Sequence, residues 1–154
     1  MTTDQQVIDG LNDLLADATV FYQKLRHFHW NVEGRTFFEL HEKFEELYTG
    51  WADNIDEIAE RILMVEGVPL HTLASMLKSA RLKEEEAIPT APEMVAMVLA
   101  DLEAMHANSG QLVETADEAG DRGTANLLDD LRDGMEKDLW MLRAWKKETA
   151  AAWS

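Results

Sequence analysis

At 154 residues and 46% hydrophobic, the chain is long enough for one domain with a substantial core and too short for two comfortable ones. It has no cysteine, which excludes disulfides, thiolate metal sites and cysteine catalysis; with 30 acidic against 14 basic residues, its formal charge of −16 repels nucleic acid and anionic membranes and favours cations. The opening MTTDQQVIDG lacks a basic n-region and an apolar h-region, and no membrane span is present, so a cytoplasmic protein is expected.

From Asp4 to about Glu33, the apolar residues Val7, Leu11, Leu14, Leu15, Ala18, Phe21, Tyr22, Leu25 and Phe28 recur at steps of three and four, which predicts an amphipathic helix. His29 continues the series 18, 22, 25 and so points toward the bundle side, where a lone histidine is more often a hydrogen-bonded core residue. His27, about 200° round the helix from His29, is expected at the surface or an interface, and Trp30 is expected to pack in the hairpin or in a dimer seam. A turn at Gly34–Arg35 then leads into a second helix from about Thr36 to Glu66, with an apolar stripe of Phe37, Phe44, Tyr48, Trp51, Ile55 and Ile62. Residues equidistant from a turn sit level with each other. His29 and His41 are both six residues from Arg35 and should therefore face one another across the hairpin.

The second helix carries two pairs of potential metal ligands, His41 with Glu45 and Asp56 with Glu60, each four residues apart and so one turn apart on one face. All four positions fall within an arc of roughly 100°. Glu45 and Asp56, however, are separated by about 16 Å along the axis, so no single metal centre can be bound by both pairs of one chain. A second copy of the helix, antiparallel across a two-fold axis, would bring Asp56 and Glu60 of one subunit opposite His41 and Glu45 of the other, giving two equivalent sites per dimer. Gly50 lies at the midpoint, where a glycine would let two helices cross closely. The predicted site is thus His29, His41 and Glu45 of one subunit with Asp56 and Glu60 of its mate. Two imidazoles and three carboxylates suit iron or another divalent first-row metal better than copper(I) or a structural zinc. Glu39, Glu42, Glu46 and Glu57 on the same helix read as a solvated face.

Beyond Gly67 and Pro69, which end the second helix, HTLASMLKS is apolar enough for a small helix in a long crossover, and such a crossover lets the second and third long helices run parallel. The third helix starts near Pro92 and repeats Val95, Val98, Leu99, Leu102, Met105, Leu112 and Val113. Its Glu103 and His106 form a single Glu-x-x-His, where a di-iron site inside one bundle needs two, so this pair is expected at the surface. After the turn DEAGDRG, a fourth helix keeps Leu128, Leu131, Met135, Leu139, Leu142 and Trp145 at helical spacing. Acids near its start, Asp121, Asp129, Asp130 and Asp133, complement a helix dipole.

The runs HWNVEG, FFELHEKFEELY and DEIAER resemble the signature of the Dps proteins, the ferritin-like mini-ferritins of prokaryotes, over about 35 residues, and the rest of the chain agrees in length and helix layout. The resemblance implies one all-α domain over residues 1-154, a ferritin-like four-helix bundle with a short extra helix in the crossover between the second and third long helices. It places the family's iron ligands on His29, His41, Asp56 and Glu60, with Glu45 where many members carry aspartate. The extra methylene of Glu45 predicts one strong and one weak iron position per site. It further implies a ferroxidase that oxidises iron(II), with hydrogen peroxide, and stores iron(III) in a hollow twelve-subunit shell. By the same resemblance Trp30 quenches radicals formed near the iron, and Asp121 and Asp130 line the pores through which iron passes. The family's other role is DNA compaction. Here no lysine or arginine precedes Lys24, and the C-terminal end offers Arg143, Lys146 and Lys147, which argues against DNA binding.

Overall fold

The computed structural model describes the backbone of residues 3–153 and the side chains of residues 4–147. Its elements are α1 (Thr3–Asn31), α2 (Phe37–Met64), the short α3 (Leu73–Ser79), α4 (Ala91–Glu118) and α5 (Arg122–Trp153). The α1 periodicity is realised except at Tyr22, which is half-buried: Val7, Leu11, Leu14, Leu15, Ala18, Phe21, Leu25 and Phe28 are each at most 1% exposed. Burying side chains of this size is worth about 1.5–3 kcal/mol each, which is what holds an otherwise marginal single helix in the bundle. On α2 the buried stripe is Leu40, Phe44, Leu47, Trp51, Ile58 and Ile62, rotated from the one the spacing suggested. Phe37, Tyr48 and Ile55 are half-buried at its edge. The apolar arc of α2 is therefore wider than one chain can cover, and its uncovered side is the one that carries the ligand pairs.

The directions of the helices follow from long-range contacts. Lys24 on α1 meets Asp101 on α4 at 2.8 Å, and Gly10 of α1 lies against Leu112 of α4, so these two helices run antiparallel. Arg61 near the end of α2 reaches Asp121 at the start of α5, while Lys43 near the start of α2 is 3.8 Å from Asp138 well along α5. The hairpins α1–α2 and α4–α5 complete the set, leaving α2 and α4 parallel. Burial raises the Asp101 carboxyl above its usual range, against the hydrogen bond and charge of Lys24. Burial does the same to Asp138, with Lys43 opposing it.

Two parallel helices must be joined by a connection that travels the length of the bundle, and three polar side chains of α1 hold that connection in place. Asn12 accepts from the Leu70 N–H (2.9 Å) and donates to the Val68 carbonyl (3.1 Å). Asp17, wholly buried, accepts from the backbone N–H groups of Arg81 (2.6 Å) and Leu82 (3.1 Å) and from Nε and Nη2 of the Arg81 guanidinium (2.9 and 2.8 Å). His27, expected at the surface or an interface, is half-buried and closes the far end. Asn31 Nδ2 donates to its Nδ1 at 2.9 Å, so Nε2 carries the proton and donates to the Ala87 carbonyl at 2.8 Å. The helix α3, capped by Thr72, packs against α1 but buries none of its residues fully.

The two glycine-containing helix ends differ in a way the sequence does not announce. After α4, Gly120 takes the left-handed conformation (φ 72°) with the Asp121 N–H returning to the Ala116 carbonyl, the usual glycine stop. After α2 the same pair of hydrogen bonds forms, but Glu66 takes the left-handed position (φ 68°) and Gly67 follows it. Gly67 is there for space: a Cβ would lie 2.8 Å from Ile8 Cγ2 and 3.0 Å from Ile62 Cγ2. A non-glycine residue in this conformation costs about 1 kcal/mol. Glu66→Gly is therefore expected to raise the thermal midpoint by a few degrees, and Gly67→Ala to lower it, at equal protein concentration. An unchanged midpoint in Glu66→Gly would mean the strain is absent.

Candidate metal centre

Where α1 ends and α2 begins, the short turn brings the histidines together as the spacing predicts. Their rings stack with centroids 3.8 Å apart at an interplanar angle of 12°. His29 is 7% exposed and His41 half-buried. Their hydrogen bonds are reciprocal: His29 Nδ1 donates to the His41 carbonyl (2.6 Å) and His41 Nδ1 donates to the His29 carbonyl (2.7 Å). A carbonyl can only accept, so both Nδ1 atoms carry protons, and in the neutral rings both Nε2 atoms hold a free lone pair. Backbone oxygen on the far nitrogen is the arrangement that fixes and strengthens an imidazole as a metal ligand.

Glu45 Oε1 lies 3.6 Å from His29 Nε2. That is too long for a hydrogen bond; two ligand atoms each about 2.1 Å from a first-row metal ion stand at such separations. Glu45 itself is 58% exposed. Asp56 and Glu60 lie on the same face of α2, also exposed, and among the described residues neither has a hydrogen-bond or ion-pair partner. Within one chain the described residues hold no group of three histidine, aspartate or glutamate side chains able to bind a metal. The chain thus stacks His41 on His29 and sets Glu45 beside His29 without closing a metal-binding group of three, and it leaves Asp56 and Glu60 apart from them.

Gly50 does not stand at the centre of this face. At 100° per residue it is about 130° round α2 from the middle of the ligand stripe, and a Cβ there would meet nothing. The small residue near the midpoint on the ligand side is Ala52. Trp51, its neighbour, is a core residue set edge-on to Phe21 at 5.4 Å. Trp30 does not pack in the hairpin: it is 56% exposed, with the Arg26 guanidinium 5.0 Å from its ring centre. Glu103 and His106 do not converge; each crosses to α5, Glu103 to Arg143 (3.3 Å) and His106 to Glu136 (2.8 Å).

Two aromatic contacts at the site are additions to the sequence reading. Phe37 stacks on His41 with centroids 4.9 Å apart, the i, i+4 neighbour that helical spacing provides. Tyr48 stands edge-on to His29 at 5.3 Å and to Tyr22 at 5.9 Å. The signal for the second was present, since Tyr22 and Tyr48 are equidistant from Arg35, as the two histidines are.

The ferritin-like domain family matches residues 8–151. The chain is 45% identical over 145 residues to the DNA protection during starvation protein of Brevibacillus brevis, covering 94% of this chain and 97% of that one. It is 44% identical over 142 residues to DNA protection during starvation protein 2 of Bacillus anthracis, covering 92% and 97%. The chain belongs to the Dps family of ferritin-like proteins. Its fold superposes on the crystal structure of a Dps protein from Bacillus brevis with a TM-score of 0.92 at 44% identity, over 94% of this chain and 97% of that one. A Vibrio cholerae O1 Dps protein, described as a member of a broad superfamily of ferritin-like diiron-carboxylate proteins, gives 0.91 at 40% identity over 94% and 91%. The all-α bundle with α3 in the crossover is thus the Dps architecture. Among the described residues, no helix is long and apolar enough to cross a membrane.

The two acids assigned to a Dps pore are placed differently. Asp130 is exposed on α5, two turns in. Asp121 caps that helix: it accepts from the Thr124 N–H (3.1 Å) and hydroxyl (2.6 Å) and from Arg61 Nη2 (2.8 Å). Burial pushes its carboxyl up, but the Thr124 hydrogen bonds and the Arg61 guanidinium outweigh this and hold it below the usual range. Because the folded-state pKa is lowered, the stability it contributes is complete above the unfolded carboxylate range and is lost as pH falls through the lowered pKa. Asp121→Ala should cost about 1–2 kcal/mol near neutral pH, and the gap from wild type should shrink on acidification. Thermal midpoints across a pH series measure this; a gap that widens in acid would contradict it.

Proposed function

We propose that this chain is an iron-storage and detoxification ferroxidase that oxidises iron(II) with hydrogen peroxide at sites shared between subunits, and stores iron(III) in a hollow cytoplasmic shell of twelve copies. The reading is carried by the stacked histidine pair, whose reciprocal hydrogen bonds occupy both Nδ1 atoms and leave each Nε2 available as a ligand, with Glu45 Oε1 3.6 Å from that of His29. Asp56 and Glu60 of the partner subunit complete the set across a two-fold axis, which suits their exposure and the wide apolar arc of α2. Iron(II) is the substrate. The imidazoles hold it as neutral donors, and the carboxylates favour the higher charge of iron(III). Two iron(II) ions give one electron each, the peroxide O–O bond breaks, and two iron(III) and two hydroxides result. Relatives described as diiron-carboxylate and as starvation-protection proteins support both the metal and the role.

Direct DNA binding is not part of this reading. The formal charge of −16 opposes phosphate contact, and of the cations near the C-terminal end Arg143 is already paired with Glu103. Protection then comes from removing iron and peroxide together. In native buffer, twelve copies of the 17.5 kDa chain should elute at about 210 kDa. Anaerobic iron(II) mixed with peroxide should be consumed by the protein at about two irons per peroxide, with little hydroxyl radical trapped. A stable monomer or dimer, or iron uptake that consumes no peroxide, would overturn the proposal.

A further inference from the structure

We propose that Phe38 of one subunit meets Leu63 of the partner subunit across the two-fold axis, and that the pair caps each shared site at its end away from that axis; the inference rests on the shared-site reading above. A two-fold axis that sets His41 opposite Glu60, and Glu45 opposite Asp56, also sets any residue before His41 opposite the residue equally far after Glu60. Phe38 is three places before and Leu63 three places after. They belong to the same register as the ligands.

Direction agrees with level. At 100° per residue, Phe38 and Leu63 each lie within roughly 10° of the middle of the ligand stripe on α2. Both are bare in the single chain, 82% and 59% exposed, and among the described residues no large apolar side chain is more exposed than Phe38. A lone exposed apolar residue is ordinary. Two of them at matched level and matched azimuth, on a stripe otherwise made of ligands and small residues, fit one another better than they fit water.

Size follows the same order. Helices that cross at an angle are closest at the crossing and diverge beyond it. Thr49 and Ala52, small and matched in the same register, stand at the axis; the imidazole and carboxylates come next, and the Phe38 ring with the Leu63 chain fills the widest part. Within its own chain Phe38 is braced edge-on by Phe37, with ring centroids 5.2 Å apart at 79°, and Phe37 stacks on His41 at 4.9 Å. The cap is thereby tied to the ligand ring it covers. It touches no reacting atom, and its role is to fix the subunit register and to keep water and bulky polar molecules from that end of the site.

Because the chain has no cysteine, thiols placed at these two positions can be cross-linked without interference. Assembled protein carrying both Phe38→Cys and Leu63→Cys, treated with a bis-maleimide reaching about 8–10 Å, the separation of packed helices, should give a covalent dimer at twice the 17.5 kDa chain mass on a denaturing gel. Either substitution alone should give none, since two copies of one position lie about 38 Å apart along antiparallel helices. The cap itself is tested with cobalt(II), which the same nitrogen and oxygen ligands hold. In variants that elute as wild type does, Phe38→Ser should speed the removal of bound cobalt(II) by EDTA about tenfold, the low end of what groups outside the ligand shell are worth, and Phe38→Leu should leave it near the wild-type rate. Assembled double variant that forms no covalent dimer, single variants that cross-link as well as the double one, or equal EDTA rates in all three proteins overturn the proposal. If mixed His41→Ala and Asp56→Ala subunits nevertheless regain iron oxidation, the shared-site reading stands without the cap; if they do not, both fall.

Discussion

Replacing His41 or Asp56 singly by alanine is expected to lower the initial rate of iron(II) oxidation by about 100-fold or more, since each change removes a proposed direct ligand and even outer partners of metal ligands are worth 10–100-fold. Mixing the two inactive variants should restore activity. A site built from His29, His41 and Glu45 of one subunit with Asp56 and Glu60 of the partner subunit is intact only when the first chain carries Asp56→Ala and the second carries His41→Ala. Random co-assembly of equal amounts therefore regenerates about a quarter of the wild-type sites, because each two-fold interface has two of them. Stopped-flow absorbance of co-refolded mixtures gives the number. If both variants assemble and the mixture stays as inactive as its parents, the ligands do not come from two chains. Undiminished oxidation by either single variant would remove that residue from the site.

A second large effect is expected far from the candidate metal centre. Asp17→Ala should destabilise the fold by about 3–5 kcal/mol, the cost of breaking a buried charge pair together with its hydrogen bonds. The carboxylate is wholly buried and holds two backbone N–H groups and the Arg81 guanidinium at once. Arg81 is partly exposed and can recover water, but the buried Leu82 N–H cannot. The loss should appear as a drop in thermal midpoint and as fast amide exchange at Arg81 and Leu82. Asp17→Asn, which keeps one acceptor oxygen, should fall between wild type and alanine. A thermal midpoint in Asp17→Ala within a degree of wild type would show that the crossover is held by Asn12 and His27 without it.

The candidate metal centre and the crossover differ in how far local sequence determines them. Helix number, the α1 core and the opposition of His29 and His41 were legible, because each depends on rotation per residue and on distance from a turn, quantities that are local. The rule that paired the histidines also pairs Tyr22 with Tyr48. The α2 stripe was misplaced toward Phe37, Tyr48 and Ile55, since a list of apolar residues does not say which part of a wide arc its own chain covers and which part it leaves for another.

By itself the sequence determined the helices, their hairpin register, the carboxylate and imidazole types on one face of α2, and the charge that favours cations over nucleic acid. Tertiary structure alone decided how those groups are held. The reciprocal Nδ1 bonds of His29 and His41 depend on the turn of two rings against two carbonyls twelve residues apart. The partners of Asp17 lie 64 and 65 residues away. Half-buried His27 is tied to the Ala87 carbonyl of the crossover, Trp30 lies exposed with the Arg26 guanidinium against its ring, and Glu66 takes the left-handed position while Ile8 and Ile62 leave no room for a side chain at Gly67. Periodicity fixes the direction of a side chain about its own helix axis. What it meets there depends on the azimuth and spacing of neighbouring helices, and those are set by packing the whole core at once.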